Sequence, residues 1–158
     1  TSTQPGNAEI LREVEVAAKA VGVKLQYLDV LSSKDMATAF QTATKGRADA
    51  ALMLLPGRVA TSQRTEIIEL AAKSRLPVIY GGRVTVEAGG LMSYGVNLDD
   101  LDRRAATYID KILKGAKPAD LPVEQPMKFE FIINLKAAKQ IGLTIPPNVL
   151  ARADRVIK

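Results

Sequence analysis

Hydrophobic positions along this chain switch between two spacings, a recurrence every three to four residues and short unbroken runs, and the switches predict its elements. Ile10, Val14, Ala17, Ala18 and Val21 recur at helical spacing behind Asn7, a residue suited to an N-cap, and Gly22 stands where that helix would stop. Val23, Leu25 and Tyr27 then alternate with polar residues, which predicts a short strand over 24–30. Ser32 and Asp35 open a second helix carrying Met36, Ala39, Phe40 and Ala43 and closed by Gly46. Residues 48–55 are nearly all apolar, as in a buried strand of a parallel sheet, and deliver the chain into Pro56-Gly57. A third helix over 62–74 leads to a second apolar strand over 77–80, stopped by Gly81-Gly82.

The second half continues the alternation. A short segment over 84–88 and the pair Gly89-Gly90 precede an apolar stretch over 91–94, after which Asn97, Asp99 and Asp100 start the strongest helix of the chain. Leu101, Ala105, Tyr108, Ile109 and Ile112 form its stripe, and Lys111 and Lys114 favour its negative end before Gly115. Residues 117–125, rich in Pro and polar side chains, read as a crossing segment. A strand over 129–133, a short helix capped by Asn134 and ended by Gly142, and a last helix from Pro147 with Val149, Leu150, Ala153 and Val156 on its apolar face complete the pattern. Strand and helix at 25 to 30 residues per unit (roughly) predict an α/β fold, a parallel sheet flanked by helices. One piece is missing: 1–6 is too short and too polar to be the strand with which such a sheet begins.

Five runs carry a resemblance: Leu91-Met92-Ser93-Tyr94-Gly95, Arg103-Arg104-Ala105-Ala106, the stretch from Asp110 to Gly115, Pro118-Ala119-Asp120-Leu121-Pro122, and the stretch from Gly142 to Pro147. In this order they resemble the C-terminal end of ABC importer solute-binding proteins, in the family whose better-known members resemble tryptophan- and phenylalanine-binding proteins. The resemblance implies a type I periplasmic-binding-protein-like fold of two lobes, about twice as long as this chain. It therefore implies an incomplete fold here, with the first lobe largely missing and an apolar strand preceding Gln4-Pro5-Gly6-Asn7. Residues 1–88 would belong to the second lobe and 89–121 to the first, and 122–158 would return to the second with a C-terminal helix. The hinge would lie near Gly89-Gly90 and 122–126. Function would be capture of a small organic solute, an amino acid or similar, between the lobes and delivery to an ABC permease in the membrane. The implied location is periplasmic, or extracytoplasmic and membrane-tethered, and self-association of the chain without its first lobe is expected.

Composition narrows the alternatives. The 22 basic and 17 acidic residues, net +5, are mixed along the chain, without the concentration of Lys and Arg that phosphate tracking needs, so nucleic acid is not an expected partner. With no cysteine and no histidine, thiolate and Ser-His-Asp catalysis and the commonest metal ligands are all excluded. The glycine pairs lack the spacing and the Lys of phosphate-binding loops, and Asp99, Asp100 and Asp102 are explained by the helix start, so no cofactor or metal is expected. No apolar stretch approaches the ~20 residues of a membrane span. The chain reads as a binder and not an enzyme; a ligand-sensing effector domain of a regulatory protein with the same fold is the alternative.

A site in this architecture belongs at the C-terminal ends of the parallel strands. Asn7 and Ala8 begin a helix whose free N–H groups can receive a carboxylate, or simply cap it. Pro56 and Gly57 follow a buried strand and offer backbone contacts or an ordinary turn. Tyr80, beside Gly81, and Tyr94 each end an apolar strand where a ring can face the cleft or fill the core. Arg83 follows immediately and carries a fork suited to a ligand carboxylate.

Overall fold

The computed structural model of the chain describes residues 7–32, 34–54 and 61–158. Among them five strands form one sheet in the order β1 (Ala51–Met53), β2 (Val78–Tyr80), β3 (Met92–Val96), β4 (Phe129–Asn134), β5 (Arg155–Ile157). β1, β2 and β3 run parallel, β4 is antiparallel to β3, and β5 is parallel to β4. The sheet is thus mixed, and β3 is its middle strand, bonded to β2 on one side and β4 on the other. The helices are α1 (Asn7–Ala20), α2 (Lys34–Lys45), α3 (Arg64–Lys73), α4 (Arg83–Glu87), α5 (Leu98–Leu113), α6 (Leu135–Gln140) and α7 (Pro147–Leu150), with a 3-10 turn at Pro118–Asp120.

Strand alternation sorts the core onto two faces. On one, Met36 and Phe40 of α2, Ile67 and Ala71 of α3 and Val86 of α4 pack against Val78, Tyr80 and Ile132, with Ala51 and Met53 at the margin. On the other, Ile133 and Leu91 pack against Ala138 of α6 and Ile145, with Met92 and Phe131 beside them. Among the described residues that second face is covered only toward β4 and β5; Leu52 of β1 is exposed on it, and so are Tyr94 and Phe129. No α1 side chain among the described residues joins either cluster, and Ile10 and Val16, with Val21 just after the helix, remain exposed.

Two predicted elements take another form. Residues 24–30 carry the alternation of a strand but form none, because a strand exists only as a ladder and no neighbouring strand is present among the described residues. Val30 alone of that segment is buried, against the α2 core. The tail continues past α7 not as helix but as β5: Asp154 accepts the Phe131 N–H with its carboxylate at 2.7 Å and gives its own N–H to the Phe131 carbonyl, which steers Arg155–Ile157 alongside β4. Other local signals operate as read. Asn97 caps α5 by accepting from the Asp100 N–H at 2.9 Å, and Asn134 caps α6 by accepting from Lys136 and Ala137. The short segment after Gly82 is the helix α4.

Candidate functional site at the C-terminal ends of the parallel strands

Because β1, β2 and β3 run in one direction, their C-terminal ends open together at Leu54, Gly81 and Val96, the edge of an α/β sheet where loops gather around ligands. Gly95 makes this end compact. A Cβ placed there would lie 2.0 Å from the Gly81 carbonyl oxygen, so only glycine lets β3 pass this close to the turn after β2. Gly82 then leads into α4 with extended backbone, φ −163°.

Arg83, first in α4, meets α5 here. Its Nη1 donates to Asp99 Oδ2 at 2.7 Å and its Nη2 to Oδ1 at 2.8 Å, a two-pronged pair with side chains 28% and 50% exposed. The hydrogen bond from Arg83 holds the Asp99 carboxyl below its ordinary range, and Asp99 in turn raises the guanidinium. Around it Asn97 Nδ2 donates to Glu130 at 3.2 Å, Lys128 lies 3.0 Å from Asp100, and the Asn97 N–H donates to the Lys128 carbonyl at 3.0 Å. The predicted carboxylate-binding fork is therefore engaged within the chain, in a geometry complementary to a carboxylate.

The other nominated residues scatter. Tyr80 is 4% exposed, and burial pushes its hydroxyl up to about 12; its ring edge leaves no room for a Cβ at Gly90, which would sit 2.7 Å away. Of the two roles open to it, Tyr80 takes the core one, since its position in β2 points toward α2, α3 and α4. Tyr94 is 58% exposed and stacks on Phe129, 50% exposed, with ring centres 5.8 Å apart and planes 16° from parallel. By alternation it lies on the sheet face opposite Tyr80 and α4, so Tyr94 and Arg83 do not share a pocket wall. Gly81 is exposed at the sheet end, and Ala8 is exposed in the first turn of α1, where Asn7 opens the helix. Pro56 and Gly57 lie outside the described residues.

The sequence shows Phe129 only as part of a strand over 129–133 and Asp99 only as a helix-start charge. The half-exposed ring and the Arg83 partnership are both missed, because each depends on what lies across the sheet end and neither leaves a local pattern. Among the described residues no group of three or more His, Cys, Asp or Glu could hold a metal ion. An apolar crevice lined by Ile68, Leu76, Tyr80 and Ile141 has room for little more than one water.

No curated protein sequence matches the chain. The family pattern described as ABC transporter substrate binding protein matches residues 3–157. Among solved structures, the ABC domain in complex with L-Trp from Streptococcus pneumonia superposes with TM-score 0.84 and 29% identity, covering 99% of this chain and 54% of that one. A conserved domain protein from Vibrio cholerae O1 biovar El Tor gives TM-score 0.82 and 31% identity, over 97% of this chain and 52% of that one. The ligand-free, open structure of CD0873, a substrate-binding protein with adhesive properties from Clostridium difficile, shares the fold at TM-score 0.68 and 22% identity, over 99% and 52%. The chain spans about half the length of each. With its open strand ends and its α/β sheet shared along nearly its whole length, the chain belongs to the ABC transporter substrate-binding proteins, with a type I periplasmic-binding-protein-like fold of which it forms part.

Proposed function

We propose that this chain is the C-terminal half of the solute-binding component of an ABC importer, and that it helps capture an amino acid or similar small organic solute and present it to a membrane permease outside the cytoplasm. The observation that carries the reading is the likeness, along 99% of the chain, to a protein whose structure holds L-Trp. The solute would lie at the ends of β1–β3 beside Gly81, with Asn7, Ala8, Pro56 and Gly57 as the further contacts that the sequence suggests. Residues up to β3 and from β4 onward form one lobe in this reading, since β3 lies between β2 and β4 in one sheet. The part that reaches the first lobe is then 98–128. Binding and closure are the whole of the activity, without a covalent step.

The test is a thermal-shift and calorimetric screen of the amino acids, L-tryptophan included, against the full-length protein that carries this chain. A saturable rise in melting temperature with at least one amino acid is the expected result. Silence across the set, with a folded protein, would remove the amino-acid reading.

A further inference from the structure

The chain leaves the sheet at Val96 and returns at Phe129, and the two crossings lie side by side: Val96 pairs with Phe129, and the next pair is tied by the Asn97 N–H on the Lys128 carbonyl at 3.0 Å. Residues 98–128 are carried on this two-stranded neck. Their main element, α5, has no fully buried side chain among the described residues, so packing does not hold it against the sheet. Internally the excursion is tied together, by Arg104 on Glu124 and by the Tyr108 hydroxyl on the Pro122 carbonyl at 2.6 Å. It is therefore a unit cross-linked within itself and joined to the sheet by a narrow base.

Arg83 reaches this unit from the sheet side. It begins α4, which is anchored by the wholly buried Val86, by Asn134 Nδ2 donating to the Val86 carbonyl, and by Glu87 paired with Arg155 of β5. Its two-pronged bond to Asp99 lands in the first turn of α5, just beyond the neck. Asn97 with Glu130 and Lys128 with Asp100 brace the neck itself.

We propose that the Arg83–Asp99 pair is a clamp that biases the angle at which the 98–128 excursion stands against the sheet. A planar guanidinium fork on a carboxylate defines direction as well as distance, which a single point contact does not. Half-exposed pairs contribute little to stability, so such a clamp biases an angle without locking it. If the solute-binding reading holds, that angle is a coordinate along which the lobes open and close, but the clamp itself stands on the geometry alone.

Spin labels at Gln41→Cys in α2 and Ala106→Cys in α5, both exposed positions, report the angle as a distance distribution in the full-length protein without solute. Arg83→Gln and Asp99→Asn are each expected to raise the population outside the parent's main distance about two- to fivefold, the range of exposed ion pairs. The double variant should add nothing further, since either single change already breaks the pair. An unchanged distribution in the two single variants, or a double variant that broadens by the sum of the singles, would overturn the clamp. Because no ligand is present, either result is independent of the amino-acid screen.

Discussion

Tyr80 and Tyr94 show how two residues with the same sequence signature diverge. Each follows an apolar run and precedes a glycine, yet one points toward the helices of the covered face and the other toward open surface. Tyr80→Ala should therefore lower stability by about 3 kcal/mol, in the range for truncating a buried aromatic, whereas Tyr94→Ala should cost under about 1 kcal/mol, mainly the lost stacking on Phe129. Denaturant melts of the two variants check this, and equal losses would contradict the assignment. Gly95→Ala is expected to destabilise by about 1–3 kcal/mol, because the added methyl meets a backbone carbonyl that cannot rotate away as a side chain would. The sequence places both tyrosines in apolar strands beside glycine; Tyr80 does end β2, but β3 runs two residues past Tyr94. Which face each takes is not legible in it, because the strand boundaries there are blurred by flanking glycines and a one-residue slip exchanges the faces.

At the scale of elements, local chemistry dictates structure wherever it is self-contained. The second helix opens as its Ser-x-x-Asp pattern predicts: Asp35 accepts from the Ser32 N–H at 2.8 Å, the Ser32 hydroxyl at 3.1 Å and the Leu31 N–H at 3.1 Å. The bonds from Ser32 above all hold the Asp35 carboxyl below its ordinary 3.8. A depressed folded-state value means that the contribution is present above the ordinary value and is lost as pH falls through the depressed one. Parent and Asp35→Ala should thus differ in stability at neutral pH, and the gap should narrow below pH ~4; a gap that is constant down to pH ~2 would refute this. Strand formation is less local. Residues 24–30 and 155–157 both carry apolar side chains, but β5 has β4 to bond and 24–30 has no strand beside it among the described residues.

For the molecule as a whole, the telling feature is the amount of apolar surface without a cover. Ile109, Ile112 and Leu113 of α5, Ile10 and Val16 of α1 with Val21 just after it, and Leu52, Tyr94 and Phe129 on the sheet are all exposed. Faces of this kind mark interaction surfaces or drive association. These 158 residues purified by themselves are expected to self-associate, seen as mass above 17.0 kDa in light scattering and as binding of an apolar dye. A monodisperse monomer with a single cooperative melt would show that these faces need no partner.

The alternation of strands and helices between residues 34 and 140, the caps at Asn97 and Asn134, the lack of histidine and cysteine chemistry and the family resemblance were determined by the sequence itself. They rest on neighbours within a few residues, on residue identity, or on motifs in linear order. The antiparallel entry of β4, the strand at the tail, the burial of Tyr80 and the pairing of Arg83 with Asp99 were decided only by the tertiary structure. Each depends on which segment, distant in sequence, arrives alongside to accept a hydrogen bond or exclude water, and no local pattern encodes that arrival.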